Sequence, residues 1–215
     1  MSTARFSNSI PSLVGAGNAL LGELGRPGVD LDTGRGFVGH GVVRLVESLL
    51  GHSGGVPGPI DPHVARFREI YGADPVTGTV VYDGVHSALG ALAAAGHGLG
   101  VCTQKPNGPA LDLLRQLELM PPITGFTGGD SLAVLKPDPA MLFHTADQLA
   151  GDVTVMVGDS ETDAETARRA EVPFLLHTEG YRLADVADLP HVAAFSDFAE
   201  LPGLVDALLA TRAPA

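Results

Sequence analysis

This 215-residue chain is poor in two kinds of residue, and each scarcity excludes a set of functions. Its single cysteine, Cys102, rules out an internal disulfide and a thiolate metal cage. That count fits a reducing, cytoplasmic compartment. Lys and Arg number 13 against 25 Asp and Glu, giving a formal net charge of −12. This is the wrong sign for a nucleic-acid groove or an anionic membrane surface, so neither partner is expected. Any anionic substrate must be held by a few placed cations and backbone amides, because the global field repels it. No apolar run reaches the roughly 18 residues that a bilayer span requires, and MSTARFSNSIPSLV lacks the apolar core of a signal peptide. Internal repeats and low-complexity linkers are also missing. None of the eight histidines falls at the helical two-His spacing of a zinc site.

What the chain does have is a change of pattern partway along. From about Leu13 to Ala94 apolar residues recur at helical spacing, as in LVGAGNALLGELG, VVRLVESLLG and DPHVARFREIYG, and this half reads as helices only. The Gly/Pro cluster at 51–63 is a loop within it. From His97 onward short apolar runs alternate with helical stretches: HGLGVCT, ALDLLRQLELM, ITGFTGG, DPAMLFHTADQLA, VTVMVGD, ETARRAEV, PFLLHT and HVAAFSD. That alternation predicts an α/β fold, a Rossmann-like parallel sheet with crossover helices and both faces covered.

Three segments at or just beyond the ends of expected strands carry the chemistry, the place where open α/β sheets bind ligands. In GVCTQKPNGPA, Thr103 offers a hydroxyl to a phosphoryl oxygen, or caps the following helix. In LAVLKPDPAML, Lys136 either points an ammonium into a cleft or lies on the surface. In VTVMVGDSETDAETARRA, Asp159 and Asp163 place two carboxylates four residues apart, suited to an oxygen-seeking cation such as Mg2+. Ser160 to Asp163 also reads as a helix-start cap with acid in the first turn.

The three segments in this order resemble the haloacid dehalogenase superfamily, and within it the bacterial phosphoglycolate phosphatases. Thr103 matches the second motif, Lys136 the third, and Gly158-Asp159 to Asp163 the fourth. NALLGELGRPGVDL, FVGHGVVRLVESLLG and VYDGVHSALGALAAAGHGLGVCTQKP resemble that subgroup's helical cap and the return into its core. The resemblance runs from about Asn8 to Leu209 and implies three regions: 1–12 a residual core segment, 13–80 a helical cap, 81–215 the phosphatase core. It implies a hydrolase of small phosphorylated metabolites, 2-phosphoglycolate first and a sugar phosphate (phosphatase or mutase) as the alternative. Thr103 would bind phosphate oxygens and Lys136 would neutralise the phosphoaspartate. Asp159 and Asp163 would hold Mg2+. Gln104, Lys105, His40 in the cap loop and Arg66 on a cap helix are candidate substrate contacts.

The family's first strand ends in Asp-x-Asp-Gly-Thr, whose first aspartate attacks phosphorus. SNSIPSL resembles the stretch a few residues beyond that motif, which puts the nucleophile at or before Met1, and MSTARF has neither an aspartate nor a strand-forming run. Asp30-Leu31-Asp32-Thr33-Gly34 has the carboxylate spacing, but it comes after a glycine-terminated helix instead of a buried strand, with Asp32 or Thr33 a candidate N-cap. The sheet is therefore expected to lack its central strand, between those ending at Thr103 and Asp159, and the 215 residues alone to be inactive. Either the chain begins too late, or it is a natural remnant without catalysis. Exposed edges at the gap would favour a homo-oligomer.

Overall fold

Glycine and proline signals end the apolar stretches of this chain, and the elements obey them closely. The structure, a computed structural model, describes residues 6–38, 41–74, 77–180 and 182–211. It divides into two compact units, one spanning Ser7–Val80 and one built from Val81 onward together with Phe6.

The first unit holds α1 (Ile10–Glu23), α2 (Leu31–Arg35), α3 (Val42–His52) and α4 (Asp61–Ala73). Apolar residues at three- and four-residue spacing bury one stripe of each long helix: Val14 and Leu21, Leu45 and Leu49, Val64 and Phe67. α1 starts earlier than the sequence pattern indicates. Pro11 lies in its first turn, where a missing N–H costs nothing. Asn18 fastens the link after α1, its amide donating to the Val29 carbonyl at 2.9 Å and its oxygen accepting from the Val29 N–H at 2.8 Å. The helices-only reading of the stretch from about Leu13 to Ala94 needs one correction: β2 (Val80–Val81) lies within it and pairs with β1 (Ser7–Asn8), which precedes it. A strand of two residues is too short to show a period of its own.

The second unit runs α5 (Val85–Ala94), β3 (Gly100–Cys102), α6 (Asn107–Gln116), β4 (Gly125–Thr127), α7 (Ala140–Ala146), β5 (Met156–Gly158), α8 (Glu161–Arg169), β6 (Phe174–His177), β7 (Ala193–Phe195) and α9 (Leu201–Ala210). All strand pairs here are parallel. β3 pairs with β4 with Val101 opposite Phe126; β5 pairs with β6 with Val157 opposite Leu175, and β6 with β7. Every residue of β3, β5 and β6 is buried, as two covered faces require. The sheet comes in two parts, β3-β4 and β5-β6-β7, and among the described residues no strand lies between them. One apolar cluster nevertheless spans both parts, including Val101, Val157, Leu175, Phe195 and Leu201. No helix among the described residues is long and apolar enough to cross a membrane.

Candidate active site

The carboxyl ends of the parallel strands gather the loops that the sequence motifs occupy. Thr103 continues the β3 ladder by one residue, its N–H donating to the Thr127 carbonyl at 2.9 Å. Its hydroxyl accepts from the Lys105 N–H at 3.2 Å. It does not cap α6, since Pro106 holds the cap position and the helix starts at Asn107. The loop after β4 is tied to this turn: the Gly129 N–H donates to the Lys105 carbonyl at 2.8 Å, and the Asn107 N–H to Asp130 at 2.7 Å. Gln104 then reaches across and donates to the backbone carbonyl of Lys136 at 2.7 Å.

Lys136 is no surface lysine. Its ammonium lies 2.6 Å from Asp163 Oδ1, with the two side chains 9% and 5% exposed. Burial works against both charges, but the pairing outweighs it. The Asp163 charge and hydrogen bond hold the Lys136 ammonium above its usual range, and Lys136 with Ser160 holds the Asp163 carboxyl below its own. The pair is therefore charged at neutral pH.

Asp163 takes the helix-start position that its local sequence indicates, in the first turn of α8. Ser160 is the N-cap of α8 and accepts from the Asp163 N–H at 3.3 Å, while the Ser160 hydroxyl donates to Asp163 Oδ2 at 2.7 Å. Oδ2 also accepts from the Asp159 N–H at 3.2 Å. A Cβ on Gly158 would collide with the Asp163 carboxylate, so the glycine ending β5 lets that side chain fold back beneath the strand end. Asp159 itself is buried at 3% exposure, and Gly180, after β6, packs directly on its carboxylate.

For a cation, the donor chemistry at Asp159 fits. It is a buried hard oxygen donor, and the oxygens of Asp163 accept from Lys136, Ser160 and the Asp159 N–H. Among the described residues no three His, Cys, Asp or Glu side chains converge as a ligand set. A cation here would take Asp159, water and oxygens of its substrate, a coordination Mg2+ accepts.

Thr103, Gln104, Lys136, Asp163 and Asp159 thus form one chain of contacts. Lys105 contributes backbone groups to it. Arg66 belongs to the helical unit, where its Nε and Nη2 donate to Glu23 and its Nη1 to Glu69, at 2.6 to 3.2 Å, so two carboxylates pair with its charge. His40 falls outside the described residues. Asp30 is the N-cap of α2, accepting from the Thr33 N–H at 2.7 Å. This corrects the expectation of Asp32 or Thr33 at that cap and gives the decoy carboxylate a structural task. Gly180 carries no signal in the sequence, and Gly158 stands there only as the neighbour of Asp159, since only a contact made after folding distinguishes them from other glycines. Cys102 is buried in β3, and burial pushes its thiol up to about 11, away from reactivity.

A chain whose parallel strands carry this series of hydroxyl, lysine and paired aspartates is of the haloacid dehalogenase-like hydrolase class, and the family's sequence profile matches residues 8–177. The chain belongs to that family. It is 42% identical over 208 residues to a phosphoglycolate phosphatase of Cereibacter sphaeroides, covering 94% of each chain. To the phosphoglycolate phosphatase of Rhodospirillum rubrum it is 43% identical over 202 residues, covering 90% of this chain and 84% of the other. Among solved structures, a predicted phosphoglycolate phosphatase from Haemophilus somnus superposes with a TM-score of 0.80 at 23% identity, covering 93% of both chains, which speaks to the fold.

Proposed function

We propose that the second unit binds a small phosphomonoester, 2-phosphoglycolate, in the manner of a magnesium-dependent phosphatase. The observation that carries this is the buried Lys136–Asp163 pair, tied by Gln104 to the turn that presents Thr103. The substrate follows from relatives that share more than 40% identity and bear that activity as their name.

Each residue has a task its geometry supports. The Thr103 hydroxyl accepts the Lys105 amide, which leaves its own proton to donate to a phosphoryl oxygen. The Lys136 ammonium spends one proton on Asp163 and has two more to place against negative charge that grows during transfer. Asp163 holds that ammonium charged and fixes the Asp159 backbone. Asp159 would hold the cation, which supplies charge neutralisation on the phosphoryl oxygens. An attacking carboxylate is not found among the described residues: Asp30 caps a helix, and no described aspartate ends a strand between β3 and β5.

The test compares two polypeptides with Mg2+ across a panel of phosphomonoesters. A polypeptide of residues 1–215 is expected to show no turnover. One extended upstream in frame, through an apolar strand ending in Asp-x-Asp-Gly-Thr, is expected to hydrolyse 2-phosphoglycolate first among the panel. Turnover by the 215 residues that Asp30→Asn abolishes would overturn this assignment of parts.

A further inference from the structure

After β6, Gly180 lies against Asp159, and the described residues on either side of it, 178–179 and 182–184, are held by several hydrogen bonds. Thr178 donates its N–H to the Phe195 carbonyl at 2.8 Å, extending the β6–β7 ladder. The Tyr82 hydroxyl donates to the Glu179 carbonyl at 3.0 Å. Arg182 donates through Nη1 to the Thr178 carbonyl. At the far end a single carboxylate oxygen, Glu161 Oε1, accepts both the Leu183 N–H at 2.7 Å and the Ala184 N–H at 2.8 Å. Glu161 is the first residue of α8, two positions after Asp159. The helix that begins two residues after Asp159 therefore also holds the chain that lies against it.

Between these fastenings sits Gly180. A Cβ there would run into the Cβ and carboxylate of Asp159. Its φ is not among the positive ones, so the backbone conformation does not demand glycine and the space does.

We infer that Glu161 and Gly180 are positioning residues: Glu161 anchors the chain at Leu183 and Ala184, Gly180 lies against Asp159, and together, as a clamp, they fix the carboxylate that receives the divalent cation. Neither touches the cation. Outer partners that orient a metal ligand are worth roughly 10- to 100-fold in metal affinity, and this pair does the orienting through backbone and shape. The inference rests on the reading of Asp159 as the cation's carboxylate.

The experiment is a Mn2+ titration of the 215-residue chain by electron paramagnetic resonance, with inorganic phosphate present, alongside thermal melts of each variant. Glu161→Ala and Gly180→Ala are expected to weaken Mn2+ binding at least tenfold. Glu161→Gln keeps an oxygen for the two amides and is expected to bind within about threefold of the unaltered chain, the rescue a purely structural loss would not show. Asp159→Asn separates the two claims. If it loses binding while Glu161→Ala and Gly180→Ala retain it, the clamp is wrong and the ligand right. If Asp159→Asn binds as the unaltered chain does, or the unaltered chain binds no Mn2+, the reading of Asp159 fails and the clamp with it. Equal weakening by Glu161→Gln and Glu161→Ala would also overturn the clamp.

Discussion

Two buried side chains decide how this site behaves in solution, and they respond oppositely to neighbours. Lys136 has a partner. Replacing it with Met leaves the Asp163 charge buried without its counter-ion, so Lys136→Met is expected to cost about 3–5 kcal/mol in urea unfolding. A loss below about 1 kcal/mol would show the pair to be far better solvated than its exposure indicates. His177 has none: its ring is fully buried among Tyr82, Phe195 and Phe198, and neither nitrogen meets a hydrogen-bond partner among the described residues. Burial lowers its pKa below 6.5 against the opposing pull of Asp159 and Glu179. The folded state thus binds this proton more weakly than the unfolded chain. Above pH 6.5 the group is neutral in both states and costs nothing; as pH falls below 6.5 the unfolded chain is favoured and stability drops. His177→Phe is expected to flatten the stability profile between pH 5 and 7, checked by thermal melts across that range. An unchanged slope would place the acid sensitivity elsewhere.

At the scale of elements, the sequence discloses strands better than what fastens them. Five strands of the second unit lie inside the apolar runs read from His97 onward, because a parallel strand covered on both faces must be apolar throughout. Their lengths were less legible: the run Val153–Val157 contributes only its last residues to β5, which starts at Met156. Thr103, Asp159 and Asp163 are legible because each stands beside a strand end or helix start, whereas Lys136, four residues before α7, stands out only by its order between them. Glu161 read only as first-turn acid, since its partners lie 22 and 23 residues away. Arg66 looked like a spare cation because Glu23 is 43 residues distant. The edge of β4 shows the same limit. There the Gln148 side chain accepts from the Phe126 N–H at 2.9 Å and donates to the Phe126 carbonyl at 3.0 Å, occupying backbone groups that another strand could use. Gln148→Ala is expected to produce concentration-dependent self-association in sedimentation velocity. A monomer fraction unchanged across a hundredfold concentration range would show that the amide does not guard this edge.

For the whole molecule, the two-part sheet and the continuous apolar cluster beneath it are the main facts. Each part keeps its parallel register, and residues from both parts share one core, with no strand between the parts among the described residues. A net charge of −12 repels phosphorylated ligands at long range. Binding must then come from short-range contacts, with modest dependence on bulk salt beyond the screening of that repulsion. What most needs testing is the proposal that the loops carrying Thr103, Lys136 and Asp159 bind a phosphoryl ester, with no attacking carboxylate among the described residues. The most direct measurement is isothermal titration of the 215-residue polypeptide with 2-phosphoglycolate and Mg2+, with released inorganic phosphate assayed in the same cell. The account predicts saturable binding, weakened by Thr103→Val, and no phosphate above the uncatalysed background. Absence of binding, or binding accompanied by steady hydrolysis, would contradict it.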